Sequence, residues 1–484
     1  MLVFINEGRE VRVRGDEDRT SFVSIMTQDA ARAYLRLVVL FLIVGAILGI
    51  LAAFSILLPD VFRTQPIPGY GRVVAAHRML MVHGVLFFGV FGCAYALVPK
   101  MAGVTNRSRS FSAVLAWIGT IVVAIGALLI LAGRGSGHEY SDLPPGLAFL
   151  FWLFLIFTSV DIALILSKQK TLKLNPAQGF LFLAAVFPAV VYPFAIPGWW
   201  GDGLSESTRI WVSWRAIFTG VFLSGAIGVS LWMLGMNGRK VLIPAGAFTI
   251  GTGLLIVFSP FMGIAHEMDA PIWSGLRAFG AFSGAMSATG LLLVALSLWK
   301  SEKLNPAMLL LYGGLAGLIA TALQGLVLLI PPIYSAFHFT ANTSGHAHLA
   351  TGSILLILLG GFLMIAPRIS GHKLVGGAKI RSGIAAIIAG MIILSVFISS
   401  AGVVQAMSFS QGLDVSDWLP AFRWLFAGVI MGGILILTGA GIIGSSILQT
   451  INTRDKGRLV SSDVTDSPSE QEVVRDESVE GGGA

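Results

Sequence analysis

One cysteine, Cys93, stands alone among 484 residues, which excludes a disulfide framework and any Cys-rich zinc or iron–sulfur site. Metal chemistry therefore falls to His, Met and carboxylates. There is no Cys-x-x-Cys-His run for a covalent c-type heme. Charge is scarce too: Asp, Glu, Lys and Arg make up 12% of the chain, against 55% hydrophobic residues, a balance foreign to soluble folds. The first thirty residues, with Arg9, Arg12, Arg14, Asp16, Glu17 and Asp18, lack the apolar core of a cleavable signal. Insertion is therefore expected to start from the first membrane helix. Nor is there a soluble basic domain. The net charge of +7 is dispersed among short loops, which speaks against a nucleic-acid partner and for membrane topology.

Long apolar runs are what the chain does have. They repeatedly exceed the ~20 residues that span a bilayer core. Bounded by Pro, Gly and charge clusters, they predict an all-α, polytopic membrane protein of about twelve transmembrane helices, at roughly 34–58, 72–98, 111–133, 147–167, 178–195, 209–236, 242–264, 272–299, 307–330, 345–366, 383–408 and 422–448. The organisation expected is a cytoplasmic N-terminal segment 1–32, a twelve-helix membrane domain 33–450 without an obvious internal repeat, and a disordered, acidic, Ser-rich cytoplasmic tail 451–484. Lys100, Arg107 and Arg109; Lys168, Lys170 and Lys173; Arg239 and Lys240; Lys300 and Lys303; and Arg368, Lys373, Lys379 and Arg381 mark alternate loops as cytoplasmic, which places both termini inside.

Of the eight histidines, all but His372 fall in the outer halves of helices or in outer loops. His346 and His348 open the tenth helix. At ~100° per residue an i, i+2 pair points about 200° apart, so two hemes can flank one helix. His77, near the outer start of the second helix, can join His348 as the two axial ligands of a six-coordinate iron, leaving His346 for a five-coordinate heme. The competing reading is that a membrane histidine serves as a hydrogen-bonding residue between helices. His83, deeper in the second helix, suits that role.

Tyr70-Gly-Arg-Val-Val-Ala-Ala-His77-Arg-Met-Leu-Met81, followed by Gly92-Cys-Ala-Tyr-Ala-Leu-Val-Pro99, resembles the second helix of subunit I of the heme-copper oxidase superfamily, the subunit of cytochrome c oxidase. Gly135-Ser-Gly-His-Glu139-Tyr140-Ser-Asp142 resembles a segment of the C-type oxidase and nitric oxide reductase branch. So does His338-Phe-Thr-Ala-Asn-Thr-Ser-Gly-His346-Ala-His348, and Gly402-Val-Val-Gln405 and Phe422-Arg423 are similar to the same branch. The resemblance covers nearly the whole membrane domain. It implies two hemes, of b type, with His77 and His348 on the low-spin iron and His346 on the high-spin iron. It further implies Arg423 at heme propionates, and Glu139 and Tyr140 at a calcium ion, whose hardness suits oxygen ligands.

One departure bears on the chemistry. The family holds a copper or non-heme iron beside the high-spin heme with one histidine from helix six and two from helix seven. Here helix six reads Trp211-Val-Ser-Trp214-Arg215-Ala-Ile-Phe, with Arg215 where the histidine is expected, and Ser259-Pro260-Phe261-Met262 stands where the helix-seven pair is expected. His266 lies beyond it, and one imidazole with Met262 or Met268 is a poor substitute for three. The copper site is therefore expected to be absent. Arg215 either faces the high-spin heme, an anion or a heme-bound ligand, or pairs with a carboxylate or an outer water layer. Asp161 is read as interfacial, without a proton path.

The function expected is a respiratory-chain di-heme membrane oxidoreductase that passes electrons from low-spin to high-spin heme and onward to O2 or NO. Its donor would be quinol or a cytochrome, or a partner subunit, because the chain has no soluble electron-accepting domain of its own. The location expected is a prokaryotic plasma membrane. The alternatives are a non-catalytic heme protein, a gas sensor or a structural or electron-transfer subunit of a respiratory complex, and a twelve-helix transporter, which predicts repeats with broken helices that are not evident here.

Overall fold

A computed structural model describes residues 17–64, 68–104, 109–169, 174–201, 203–236, 245–258, 274–299 and 304–453. No strand occurs among them. The long helices are α1 (Glu17–Leu57), α2 (Tyr70–Met101), α3 (Arg109–Leu131), α4 (Pro145–Leu166), α5 (Pro176–Ala195), α6 (Gly203–Ile217 continuing through Phe218–Leu223 into Ser224–Met236), α7 (Ala245–Phe258), α8 (Ser274–Ser297), α9 (Pro306–Leu328), α10 (Ala341–Ser370), α11 (Gly377–Ser410) and α12 (Val415–Asn452). Among the described residues, eleven are long and apolar enough to cross a membrane. The described part of the remaining one, α7, is 14 residues long, below the ~20 that span a bilayer core.

Several boundaries differ from expectation for physical reasons. α1 begins at Glu17, so the polar segment expected to end at residue 32 is already helical in its second half, and α12 runs through the boundary expected at 450. Polar residues extend a membrane helix into the headgroup layer, where hydropathy no longer reports it. Two short helices, Pro59–Thr64 and Pro331–Phe337, occupy stretches read as loops, each with proline at its first position. α10 begins at Ala341, with the Thr340 hydroxyl accepting from the Asn342 amide. His346 and His348 therefore stand in its second turn rather than its first.

Three helices form the centre. In the most apolar stretch of α2, 94% is buried, in α10 83% and in α6 72%, against 39% in α3 and in α11. α2, α6 and α10 touch one another, α11 and α12 pack along the flank of α10, and α12 returns to α1. Lipid is as apolar as these side chains, so close backbone approach holds the pairs together. A Cβ added to Gly390 of α11 would come within 2.6 Å of the Gly432 carbonyl of α12, and one on Gly432 within 2.8 Å of the Gly390 carbonyl. α2 and α6 each contain a π-helical stretch, Leu80–Leu86 and Phe218–Leu223. Phe87, just after the first stretch, packs edge-on against Phe222 of the second at 4.8 Å.

Candidate functional site

The imidazoles of His77 on α2 and His348 on α10 face each other with ring planes 10° from parallel and centroids 6.1 Å apart. This is the spacing of two imidazoles on opposite sides of one metal ion, with metal–nitrogen bonds of about 2.0–2.1 Å and ring centroids roughly 1.1 Å beyond them. Their hydrogen bonds select the tautomer. His77 Nδ1 donates to the Gly45 carbonyl of α1 at 2.7 Å, and His348 Nδ1 to the Ser344 carbonyl one turn back at 2.8 Å. A carbonyl can only accept, so each ring carries its proton on Nδ1, which leaves the Nε2 lone pair free to bind a metal. Gly49, one turn after Gly45, makes the space: a Cβ there would lie 2.8 Å from His77 Cε1. This pair fits an iron with two axial imidazoles.

His346 is oriented by a different chain of contacts. Its Nδ1 lies 3.3 Å from Gln324 Oε1 on α9, and Gln324 Nε2 donates to Asn342 Oδ1 at 3.4 Å. Gln405 Oε1 on α11 accepts from the Ala341 amide at 2.7 Å, satisfying a free donor at the start of α10. Gly402, one turn earlier on α11, lies directly against the Asn342 backbone. The Gly402-to-Gln405 motif therefore positions the helix end that bears both histidines. All six positions from His346 to Thr351 keep partial exposure, whereas every position from Gly352 to Ala366 is buried.

Above these histidines lies a charged layer. Arg78 grips Asp142 in two-pronged fashion, its Nε donating to Oδ2 at 2.9 Å and Nη2 to Oδ1 at 2.6 Å, and pairs with Glu139 at 3.6 Å. Burial pushes the Asp142 carboxyl up from its usual range, and Arg78 pulls it back. Tyr140 has a left-handed backbone, φ 62°, the one non-glycine residue to do so among those described, at a cost of roughly 1–2 kcal/mol. The turn lays its ring against Trp214 and Phe218 and beneath Arg78, whose guanidinium carbon is 5.6 Å from the ring centre. Glu139 and Tyr140, the residues implied for calcium, thus border a guanidinium that already engages the nearest carboxylates. No cluster of three or more His, Cys, Asp or Glu occurs among the described residues.

Arg215 extends from α6 over Trp211, 4.6 Å from its ring centre. Its Nε has no hydrogen-bond partner, and no ion pair joins it to another described residue. It lies close enough to His346 and His338 to act on both electrostatically. Of the two local alternatives read from sequence, a carboxylate partner is therefore not what the described residues supply. Arg423 is half-buried near the N-terminal end of α12, with no described hydrogen bond to the histidine groups. Ser259, Pro260, Phe261, Met262, His266 and Met268 lie outside the described residues.

Two groups had weaker signals in the sequence. His83 is fully buried, its Nε2 sharing a 3.0 Å hydrogen bond with the Tyr192 hydroxyl inside a cage of Phe87, Phe151 and Trp214. Asp161 is 3% exposed, and accepts from Tyr95 at 2.9 Å and Ser112 at 2.5 Å. Position along a helix hints at depth, but only packing reveals which face turns inward. Gly45, Gly49 and Gln324 were also missed, because a backbone acceptor and a space-making glycine leave no mark in one sequence.

Comparison with known proteins bears on the same residues. The family described as cytochrome c and quinol oxidase polypeptide I matches residues 29–435. The chain belongs to that family. Within it, the chain is similar to a cytochrome c oxidase subunit 1 homolog of Agrobacterium tumefaciens (strain T37), 22% identical over 460 residues, covering 86% of this chain and 82% of that protein. Its fold is similar to that of a chain from a heme-copper terminal oxidase dimer solved by cryo-electron microscopy, with a TM-score of 0.73 at 16% identity, covering 88% of this chain and 84% of that one. A subunit I-like, all-helical membrane fold and membership of a respiratory oxidoreductase family follow, and the family implies heme cofactors.

Proposed function

We propose that this protein is a di-heme membrane oxidoreductase in which His77 and His348 hold a low-spin heme and His346 a high-spin heme, both of b type. The observation that carries this reading is the parallel imidazole pair at 6.1 Å. When bound, the hemes supply electron transfer and, at the five-coordinate iron, a position for O2 or NO. The protein's own part is orientation. Gly45 and Ser344 hold the two rings with Nε2 lone pairs inward, and Gln324 does the same for His346. Arg78 supplies at the outer layer the positive charge that the resemblance assigns to a calcium near Glu139 and Tyr140, and Arg423 is available to a propionate. Electrons come from quinol or from a cytochrome or partner subunit on the outer side.

The absence of histidine from α6 and the placement of Arg215 there support a chain without the family's copper site. They also favour a second reading, a heme protein that binds a gas or transfers electrons without reducing it. Purified protein examined by pyridine hemochrome, EPR and metal analysis tests the first reading. Two hemes per chain, one low-spin and one high-spin, with no stoichiometric copper or non-heme iron, are expected; substoichiometric heme or one copper per chain overturns it. Turnover of O2 or NO with a reduced donor separates the enzyme from the non-catalytic protein.

A further inference from the structure

Arg215 is half-buried on α6, and its buried Nε is unsatisfied. A guanidinium has five N–H donors in its plane and no acceptor. Trp211 covers one face through its π system, which attracts the cation without using its in-plane donors. Nε finds no acceptor. Glu139, the carboxylate within electrostatic reach, is drawn instead to Arg78. The remaining groups in reach are Tyr140, Tyr334, His338 and His346, none of them anionic in its ordinary state. A desolvated cation without a counter-charge is costly. Among the described residues, what this group lacks is an anion.

From this geometry we infer that Arg215 and Trp211 form an anion-binding site beside His346. The ligand chemistry is a carboxylate or small inorganic anion, from either of two sources: a propionate of the heme on His346, or a free anion drawn to the open side of that heme. The inference rests on the proposed heme at His346. It gives α6 a fixed cation that orients an anion through planar N–H donors, a role lysine cannot reproduce with a single ammonium point charge.

The test uses the purified, heme-loaded protein and its R215Q and R215K variants, with azide as the probe and heme labelled with 13C at its propionate carboxyls. Hemochrome and EPR first count the high-spin heme; its absence from the unmodified protein sinks the di-heme reading itself, independently of Arg215. With that heme present, optical titration of the ferric protein is expected to show azide affinity falling roughly 10- to 100-fold in R215Q, the effect of losing a charge-assisted hydrogen bond, if the anion is free. If the anion is the propionate, redox-difference infrared spectra should instead show the labelled carboxylate bands shifting in R215Q. Unchanged affinity together with unchanged bands overturns the inference. Should R215Q fail to assemble, R215K carries the same two measurements. A several-fold change in affinity or a band shift supports the site, and no change in either rejects it.

Discussion

A substitution at His346 and one at His348 are two residues apart and have different consequences. H348A removes one of the two imidazoles that face each other across 6.1 Å; the expected result is loss of the low-spin EPR signal with the high-spin signal retained. H346A reverses the pattern, leaving one low-spin heme per chain by hemochrome and EPR. Asp161 belongs at this scale as well. It is the shared acceptor of Tyr95 and Ser112, so D161A removes a buried acceptor from two hydroxyls at a cost of about 1–3 kcal/mol. Thermal unfolding in detergent should register a clear fall in midpoint, with both heme signals intact. A loss of heme without a loss of stability would instead make Asp161 part of the cofactor site.

Among the elements, α10 depends on its neighbours for its position. Gln405 on α11 accepts the amide of Ala341, and Q405A leaves that donor without its partner. The expected cost is about 1–3 kcal/mol, read as a lower unfolding midpoint, with weaker retention of heme at His346 because the first turn of α10 loosens. α1 makes the corresponding contribution to α2. At Gly49 even a methyl group would meet the His77 ring at 2.8 Å, and the ring has little freedom to retreat while its Nδ1 is held by the Gly45 carbonyl. G49V is therefore expected to abolish the low-spin signal while leaving the protein in the membrane. A normal low-spin spectrum in G49V would show that the ring is not confined there.

On the scale of the whole molecule, the helices must be oriented as well as packed. The Lys and Arg residues cluster in alternate loops, and loops rich in these residues stay on the cytoplasmic side. A reporter fused after residue 484 is expected to be active only as a cytoplasmic reporter, and activity as an exported one would invert the topology. The expected outcome would put His77, His346 and His348 in the outer half of the bundle, on the side of the proposed electron donor.

Much of this architecture was legible in one sequence. Apolar runs long enough to span a bilayer, and loops that interrupt them, determine an all-helical membrane protein, because lipid permits a spanning chain few other ways to satisfy its backbone. The spacing of His346 and His348 determines that they point to opposite sides of one helix, since helical geometry is local. What only the tertiary structure decided is which groups meet across helices. That His77 lies parallel to His348, that Gly45 and Gln324 set ring orientation, that Arg78 rather than another cation grips Asp142, and that Asp161 turns inward all depend on which faces of separate helices come together. Those contacts join residues up to hundreds of positions apart, and no local periodicity encodes them.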